Sequence, residues 1–113
     1  MTVFFGFALA DSMFNGDVTI TRRVLGEQEV RGLVAAGVQS CCNPSHVATI
    51  DAMRQRYGLE VGIPETPPRV ALQSGDSVVV MGVRGLPRLT DRHEYTSEEV
   101  ASASFTFSLY TVA

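Results

Sequence analysis

The chain contains no lysine and no tryptophan, only two cysteines, and no apolar run that approaches the length of a membrane span. Each absence excludes something. The two cysteines, Cys41 and Cys42, are neighbours, and adjacent cysteines reach disulfide geometry only with difficulty, so a reducing compartment and no covalent framework are expected. A bilayer takes about 18 to 20 consecutive apolar residues to cross, so no membrane is expected as a partner. Met1–Asp11 is apolar but carries no basic residue ahead of its hydrophobic stretch. It reads as a first strand rather than a signal peptide, and the expected location is the cytoplasm. No Walker loop, GxGxxG, CxxC pair, HExxH or GxSxG occurs, which removes the strong signatures of P-loop, dinucleotide, zinc and α/β-hydrolase chemistry. Neither a metal nor a cofactor is expected.

What is present fits one small domain over residues 1–113. The chain is 45% hydrophobic and 19% charged, enough apolar material to bury a core without disulfides and too much for a disordered tail. A net charge of −3 opposes duplex nucleic acid as a partner, because such binders carry a basic face that releases counterions. All nine basic residues are arginines. Arginine favours planar, bidentate contact with phosphate or carboxylate, so a small anionic ligand needs only a few of them.

The hydrophobic pattern alternates short elements. Val3–Leu9 is apolar throughout and suits a strand covered on both faces. Val18–Val24 alternates β-branched and polar residues, a second strand. Glu27–Ala36 carries an apolar stripe of Val30, Leu33 and Val34, with acids in its first turn and Gly37 as a stop, and predicts a helix. Val38–Cys42 is a short strand or the end of one. A second helix runs from about Ser45 to Tyr57 and closes at Gly58, with His46, Ile50, Met53 and Tyr57 on one face. Arg69–Gln73 and Ser77–Val83 flank Ser74-Gly75-Asp76 and read as an antiparallel hairpin. Arg84–Glu94 is a loop, Thr96-Ser97-Glu98-Glu99 a capping box opening a short helix, and Ser104–Val112 a last strand with Phe105, Phe107 and Leu109 on one face. The fold class is α+β: a mixed sheet of five or six strands flanked by helices.

Two histidines, two cysteines and a local concentration of arginine remain as candidates for chemistry. His46 follows Cys41-Cys42-Asn43-Pro44-Ser45 at a helix start, where free amides and the positive dipole end favour a phosphate. Ser45 can cap that start and Asn43 can donate a further hydrogen bond. A histidine there can protonate a leaving oxygen at neutral pH. The plainer reading is a helix-start histidine packed on Ile50. Arg84, Arg88 and Arg92 lie in a loop that Gly85 and Pro87 keep from being helical, and loops leaving strand ends on a rigid sheet are common ligand sites. The plainer reading there is a solvated loop paired with Asp91, Glu94 and Glu98. His93 is a surface residue, and Cys41 and Cys42 pack as small apolar side chains. Their adjacency argues against zinc held by these cysteines with His46 and His93. Ser12 belongs to no nucleophile pattern.

The order of elements, with His46 opening a helix that ends at Gly58-Leu59-Glu60-Val61, resembles the viral ring nucleases. These are small anti-CRISPR proteins that destroy cyclic tetra-adenylate, the messenger of type III CRISPR defence. The resemblance rests on His46–Gly58 (HVATIDAMRQRYG), on Gln73–Val80 (QSGDSVVV) and on Leu86-Pro87 followed by Thr96-Ser97-Glu98-Glu99-Val100. It implies a homodimer, or a higher symmetric oligomer, that binds the cyclic ligand across its two-fold axis without metal. It also implies that His46 is the general acid while a ribose 2′-hydroxyl attacks in line to leave a 2′,3′-cyclic phosphate, with Arg84 as phosphate clamp. Gly85, Arg88, Asn43, Ser45, Ala10 and Ser12 fall in the ligand-binding stretches. The family has an Asn near position 7 and a Ser near position 10, where this chain has Phe7 and Ala10. Its Arg-Leu-Pro-Glu stands here as Gly85-Leu86-Pro87-Arg88.

Three functions follow as expectations. The first is a viral anti-defence enzyme, acting in the host cytoplasm, that opens a cyclic oligonucleotide messenger (cyclic tetra-adenylate or a relative) by metal-independent cleavage. The second is a sponge of the same fold that holds the messenger intact. The third is a protein-binding inhibitor of a host factor, which would show an exposed apolar patch and no cleft.

Overall fold

The computed structural model describes residues 2–66, 68–87, 89 and 94–113. Strands β1 (Val3–Gly6), β2 (Ile20–Leu25), β3 (Gln39–Ser40), β4 (Ser77–Arg84) and β5 (Ser104–Val112) form a single sheet in the order β2-β5-β4-β1-β3. Helices α1 (Glu27–Ala36), α2 (Val47–Tyr57) and α3 (Ser97–Ser102) accompany it. β1 is parallel to both β3 and β4, whereas β5 is antiparallel to β4 and to β2. The α+β mixed sheet expected from the pattern is therefore present, with five strands.

The period of two explains why β1 has no polar side. Phe5 packs into the larger core with Val79, Met81, Phe107 and the helix residues Val30, Ile50 and Met53. Phe4, one residue earlier, enters a second core with Val70, Leu72, Val78 and Val112. Both faces of the sheet centre are thus covered, and fully burying each such side chain contributes about 1.5–3 kcal/mol. The strand ends at Gly6 rather than Leu9 because β3, its neighbour, pairs only at Phe4 and Phe5.

α1 and β5 begin and end at the predicted residues. α2 stops at Gly58, whose φ of 66° is the left-handed conformation that glycine adopts without penalty. The capping box of α3 forms as expected, Thr96 accepting from the Glu99 amide and Glu99 accepting from the Thr96 amide.

Besides shifted bounds (β2 is Ile20–Leu25 rather than Val18–Val24, and β3 keeps only Gln39–Ser40 of Val38–Cys42), two expectations need correction. Residues 69–73 are not a strand and do not pair with β4, because both edges of β4 are already occupied by β1 and β5. The segment instead lies over the second core through Val70 and Leu72, and the Leu72 amide donates to the Met13 carbonyl at 2.7 Å. The turn itself survives: the Asp76 carboxylate accepts the Gln73 amide at 2.9 Å and the Thr2 amide at 3.0 Å, joining the starts of β1 and β4. Those two bonds, the Gln73 one first, hold the Asp76 carboxyl below its ordinary range. The second correction is that Ser45 does not cap the second helix. Pro44 opens a 3₁₀ turn (Pro44–His46) that Asn43 caps, its Oδ1 accepting the Ser45 amide at 2.9 Å, and α2 follows with His46 at its own N-cap.

Candidate functional site

Because β3, β1 and β4 run parallel, their carboxyl ends lie at one edge of the sheet, and the described site residues predicted from the sequence sit at or just beyond those ends. The loop after β1 carries Ala10 and Ser12, and the loop after β3 carries Asn43, Ser45 and His46. Arg84, expected to open a loop, is instead the last residue of β4, held in the ladder by its pairing with Ser104, with Gly85 following it. The first two loops leave adjacent strands on opposite faces. Leu9, Met13 and Phe14 pack on the second core, whereas the β3 loop leads into α2, whose Ile50 and Met53 pack on the first. Diverging loops at the carboxyl ends of neighbouring parallel strands make the crevice in which open α/β sheets bind ligands.

His46 ends the 3₁₀ turn and stands at the N-cap of α2, its amide donating to the Asn43 carbonyl at 2.9 Å. Its side chain makes no capping bond and is exposed. The imidazole rests edge-on against Phe7, the first residue after β1, with ring centres 5.1 Å apart and planes at 67°. Phe7 itself packs on the first core, so the residue after β1 and the residue that opens α2 meet on that face of the sheet, and no hydrogen-bond partner of the imidazole lies among the described residues.

The cysteines pack into the two cores, Cys42 in the first and Cys41 against the second. Both thiols donate to the Phe5 carbonyl, at 3.3 Å from Cys41 and 3.6 Å from Cys42, and burial pushes both thiols up from their ordinary pKa. They are thiol-form packing groups rather than nucleophiles. Cys41 also fixes the residue before Phe7: a Cβ at Gly6 would lie 2.8 Å from its sulfur. Among the described residues no group of three or more His, Cys, Asp or Glu is placed to hold a metal.

Ala10 and Ser12 line a cleft of about 460 Å³ with Met13, Pro68, Arg69, Val70 and Ala71. His46, Asn43, Ser45, Arg84 and Gly85 line none of the five clefts found on the described residues. Arg84 lies past the β1 pairing, which ends at Gly6–Val80, and is matched with Ser104 of β5. The structure brings His46 to Phe7, and Ser12 to Arg69, while Arg84 stands apart on the same edge of the sheet. Arg88, Arg92 and His93 lie outside the described residues.

The arginines sort themselves by partner. Arg22 donates to Tyr110 and Ser108, Arg23 pairs with Glu29, and Arg31 pairs with Glu27. Arg54 donates to Asp51 and to the Val61 carbonyl, and Arg56 to the Val100, Ala101 and Ala103 carbonyls at the end of α3. Among the described residues, Arg69 and Arg84 have no hydrogen-bond or ion-pair partner. Sequence reasoning found Arg84 but missed Arg69, since its segment reads as strand.

The chain is thus an α+β domain with a mixed five-stranded sheet whose parallel strands β3, β1 and β4 end at one edge. Its architecture is similar to that of B116 of Sulfolobus turreted icosahedral virus (STIV), with a TM-score of 0.68 at 18% identity over 98% of this chain and 99% of that one. At that identity the likeness shows the fold. No family model and no curated protein matches. No helix among the described residues is long and apolar enough to cross a membrane.

Proposed function

We propose that this chain binds a cyclic oligonucleotide messenger at the carboxyl ends of β1, β3 and β4 and opens it by metal-independent phosphodiester cleavage, serving a virus against a host defence. The observation that carries the reading is the exposed His46 imidazole, packed against Phe7 at the start of α2. The resemblance to viral ring nucleases and the likeness of the fold to a viral protein support it.

In this mechanism a ribose 2′-oxygen bonds to the adjacent phosphorus as the P–O5′ bond breaks in line. The 2′-hydroxyl proton passes to solvent, and the 5′-oxygen leaves with a proton from the His46 imidazolium. The products are a 2′,3′-cyclic phosphate and a 5′-hydroxyl. Arg84, unpartnered at the end of β4, offsets the phosphate charge in ground and transition states. A homodimer supplies two histidines and two arginines to a ring with its own two-fold symmetry.

Phe7 and Ala10, in place of the amide and hydroxyl the family carries, favour a second reading, a sponge that binds without cleaving. Incubation with a panel of cyclic oligoadenylates followed by chromatography separates the two. Linear products that fall by about 10²–10⁴-fold in rate in His46→Ala support general-acid cleavage. Intact ligand recovered after denaturation supports the sponge, and absence of binding to every ring overturns both.

A further inference from the structure

We propose that the cleft where the ends of β2 and α2 meet the start of β5 binds a methylated ammonium group. The rings of Tyr57, Phe105 and Phe107 take the cation, and the Glu27 carboxylate supplies the opposite charge. None of these residues belongs to the proposed ring-opening site, and the assignment does not rest on that reading.

The cleft holds about 270 Å³, below the roughly 300–1,000 Å³ of sites for drug-sized ligands, so it suits a headgroup rather than a whole nucleotide. Three of its lining residues are aromatic. Tyr57, the last residue of α2, stands at 90° to Phe105 and 82° to Phe107, with ring centres 5.7 and 5.4 Å away. Phe107 belongs to the first core, while Tyr57 and Phe105 are only half-buried at its edge. Mutually perpendicular rings present negative π faces in more than one direction, which suits a compact cation. Arg56 lies 5.8 Å from the Tyr57 ring centre, so this ring already meets a cation in the native fold. That guanidinium is held by the α3 carbonyls and does not line the cleft.

The charge is complementary. Glu27, exposed in the first turn of α1, is the one carboxylate of the lining, and no basic side chain is part of it. Its contact with Arg31 is an exposed ion pair of 3.2 Å, weak enough for a ligand cation to displace. Methylation matters because a bare ammonium brings three N–H donors, and the aromatic rings, Val24 and Leu25 accept none of them. A quaternary ammonium has no donor and forfeits no hydrogen bond on leaving water.

The test is an NMR titration of the full chain with choline chloride, run against sodium chloride of equal ionic strength. A parallel titration uses the uncharged isostere of choline, with carbon in place of the ammonium nitrogen. Choline should give saturable shifts at Val24, Leu25 and Phe105 with a Kd on the order of 1 mM, and the isostere should bind at least about fivefold more weakly. Phe105→Leu keeps apolar bulk but removes a ring and should weaken choline about three- to tenfold, whereas Phe105→Tyr should retain it. Glu27→Gln should weaken choline about two- to fivefold, and Arg31→Ala, which frees the same carboxylate, should not weaken it. Equal affinity for the isostere overturns the assignment, as does a lack of saturation by about 20 mM choline. An Arg31→Ala loss equal to that of Glu27→Gln overturns it as well. A peptide bearing one trimethyllysine, compared with the same peptide unmethylated, separates the sources of the group. Methylation-dependent binding tighter than that of choline assigns it to a protein partner, and binding no tighter assigns it to a free small molecule.

Discussion

Replacing Phe7 by leucine isolates the contact on which the proposed acid depends. The imidazole of His46 is exposed and makes no capping bond, so little besides the Phe7 ring, its centre 5.1 Å from that of the imidazole, selects one rotamer. An edge-to-face pair contributes about 0.5–1.5 kcal/mol beyond the area it buries, which is roughly a two- to twelvefold bias in rotamer population. Leucine keeps apolar bulk at the end of β1 but offers no ring. Phe7→Leu should therefore lower kcat for ring opening by at most about tenfold, leave KM within about twofold, and be rescued by Phe7→Tyr. The loss should be far smaller than that of His46→Ala, because a misdirected acid still visits the productive geometry whereas a missing one never does. The assay pairs single-turnover cleavage with the proton shifts of the His46 ring, which the neighbouring aromatic ring displaces and which should relax in Phe7→Leu. Unchanged ring shifts and unchanged kcat refute the orienting role. A loss equal to that of His46→Ala, with thermal stability intact, also refutes it, because orientation alone cannot account for so much.

Two stability predictions test the frame that holds the site. The Asp76 carboxylate accepts two amides, so Asp76→Ala should cost about 1–3 kcal/mol in urea unfolding at neutral pH. Since those bonds lower the folded-state pKa of Asp76, the stability they add is fully present above about pH 4 and is lost as pH falls through the lower folded value. Wild type and variant should converge in acid, and a gap that persists below about pH 2 would contradict this linkage. Arg56 donates to three carbonyls at the end of α3. Arg56→Met should lower the stability by about 1–2 kcal/mol, near 4–8 °C in Tm, while leaving binding at His46 intact.

Much of the fold was readable because local signals and long-range packing agree. α1 has an acidic first turn, an apolar stripe and a glycine stop, and β5 alternates Phe105, Phe107 and Leu109 toward one core. The failure at residues 69–73 has a physical source. Alternation reports which side chains are buried, and Val70 and Leu72 are buried. It does not report whether a neighbouring strand still has a free edge. β4 has none, so an alternating segment lies over the sheet instead of in it. The cap at Asn43 was missed for a more local reason, since Pro44 starts a 3₁₀ turn one residue ahead of the helix that the periodicity marks.

The site was legible only by residue type, because an arginine in a sequence carries no sign of its partner. Nine arginines and no lysine say that planar donors are used, without saying on what. The structure divides them: Arg54 and Arg56 close helix ends and loop carbonyls, Arg22 lies along β5, and Arg23 and Arg31 pair with acids of α1. A guanidinium committed to backbone carbonyls cannot serve a phosphate without unsatisfying them, which costs about 1–3 kcal/mol for each buried group. Anion binding therefore falls to those with no such commitment, Arg69 and Arg84 among the described residues. The division makes a sharp demand of mutagenesis. Substituting Arg22, Arg31, Arg54 or Arg56 should register in stability with ligand affinity kept, and substituting Arg69 or Arg84 should register in affinity with stability kept. A single arginine that crossed between these sets would show that the division by internal partners does not govern which of them meets the ligand.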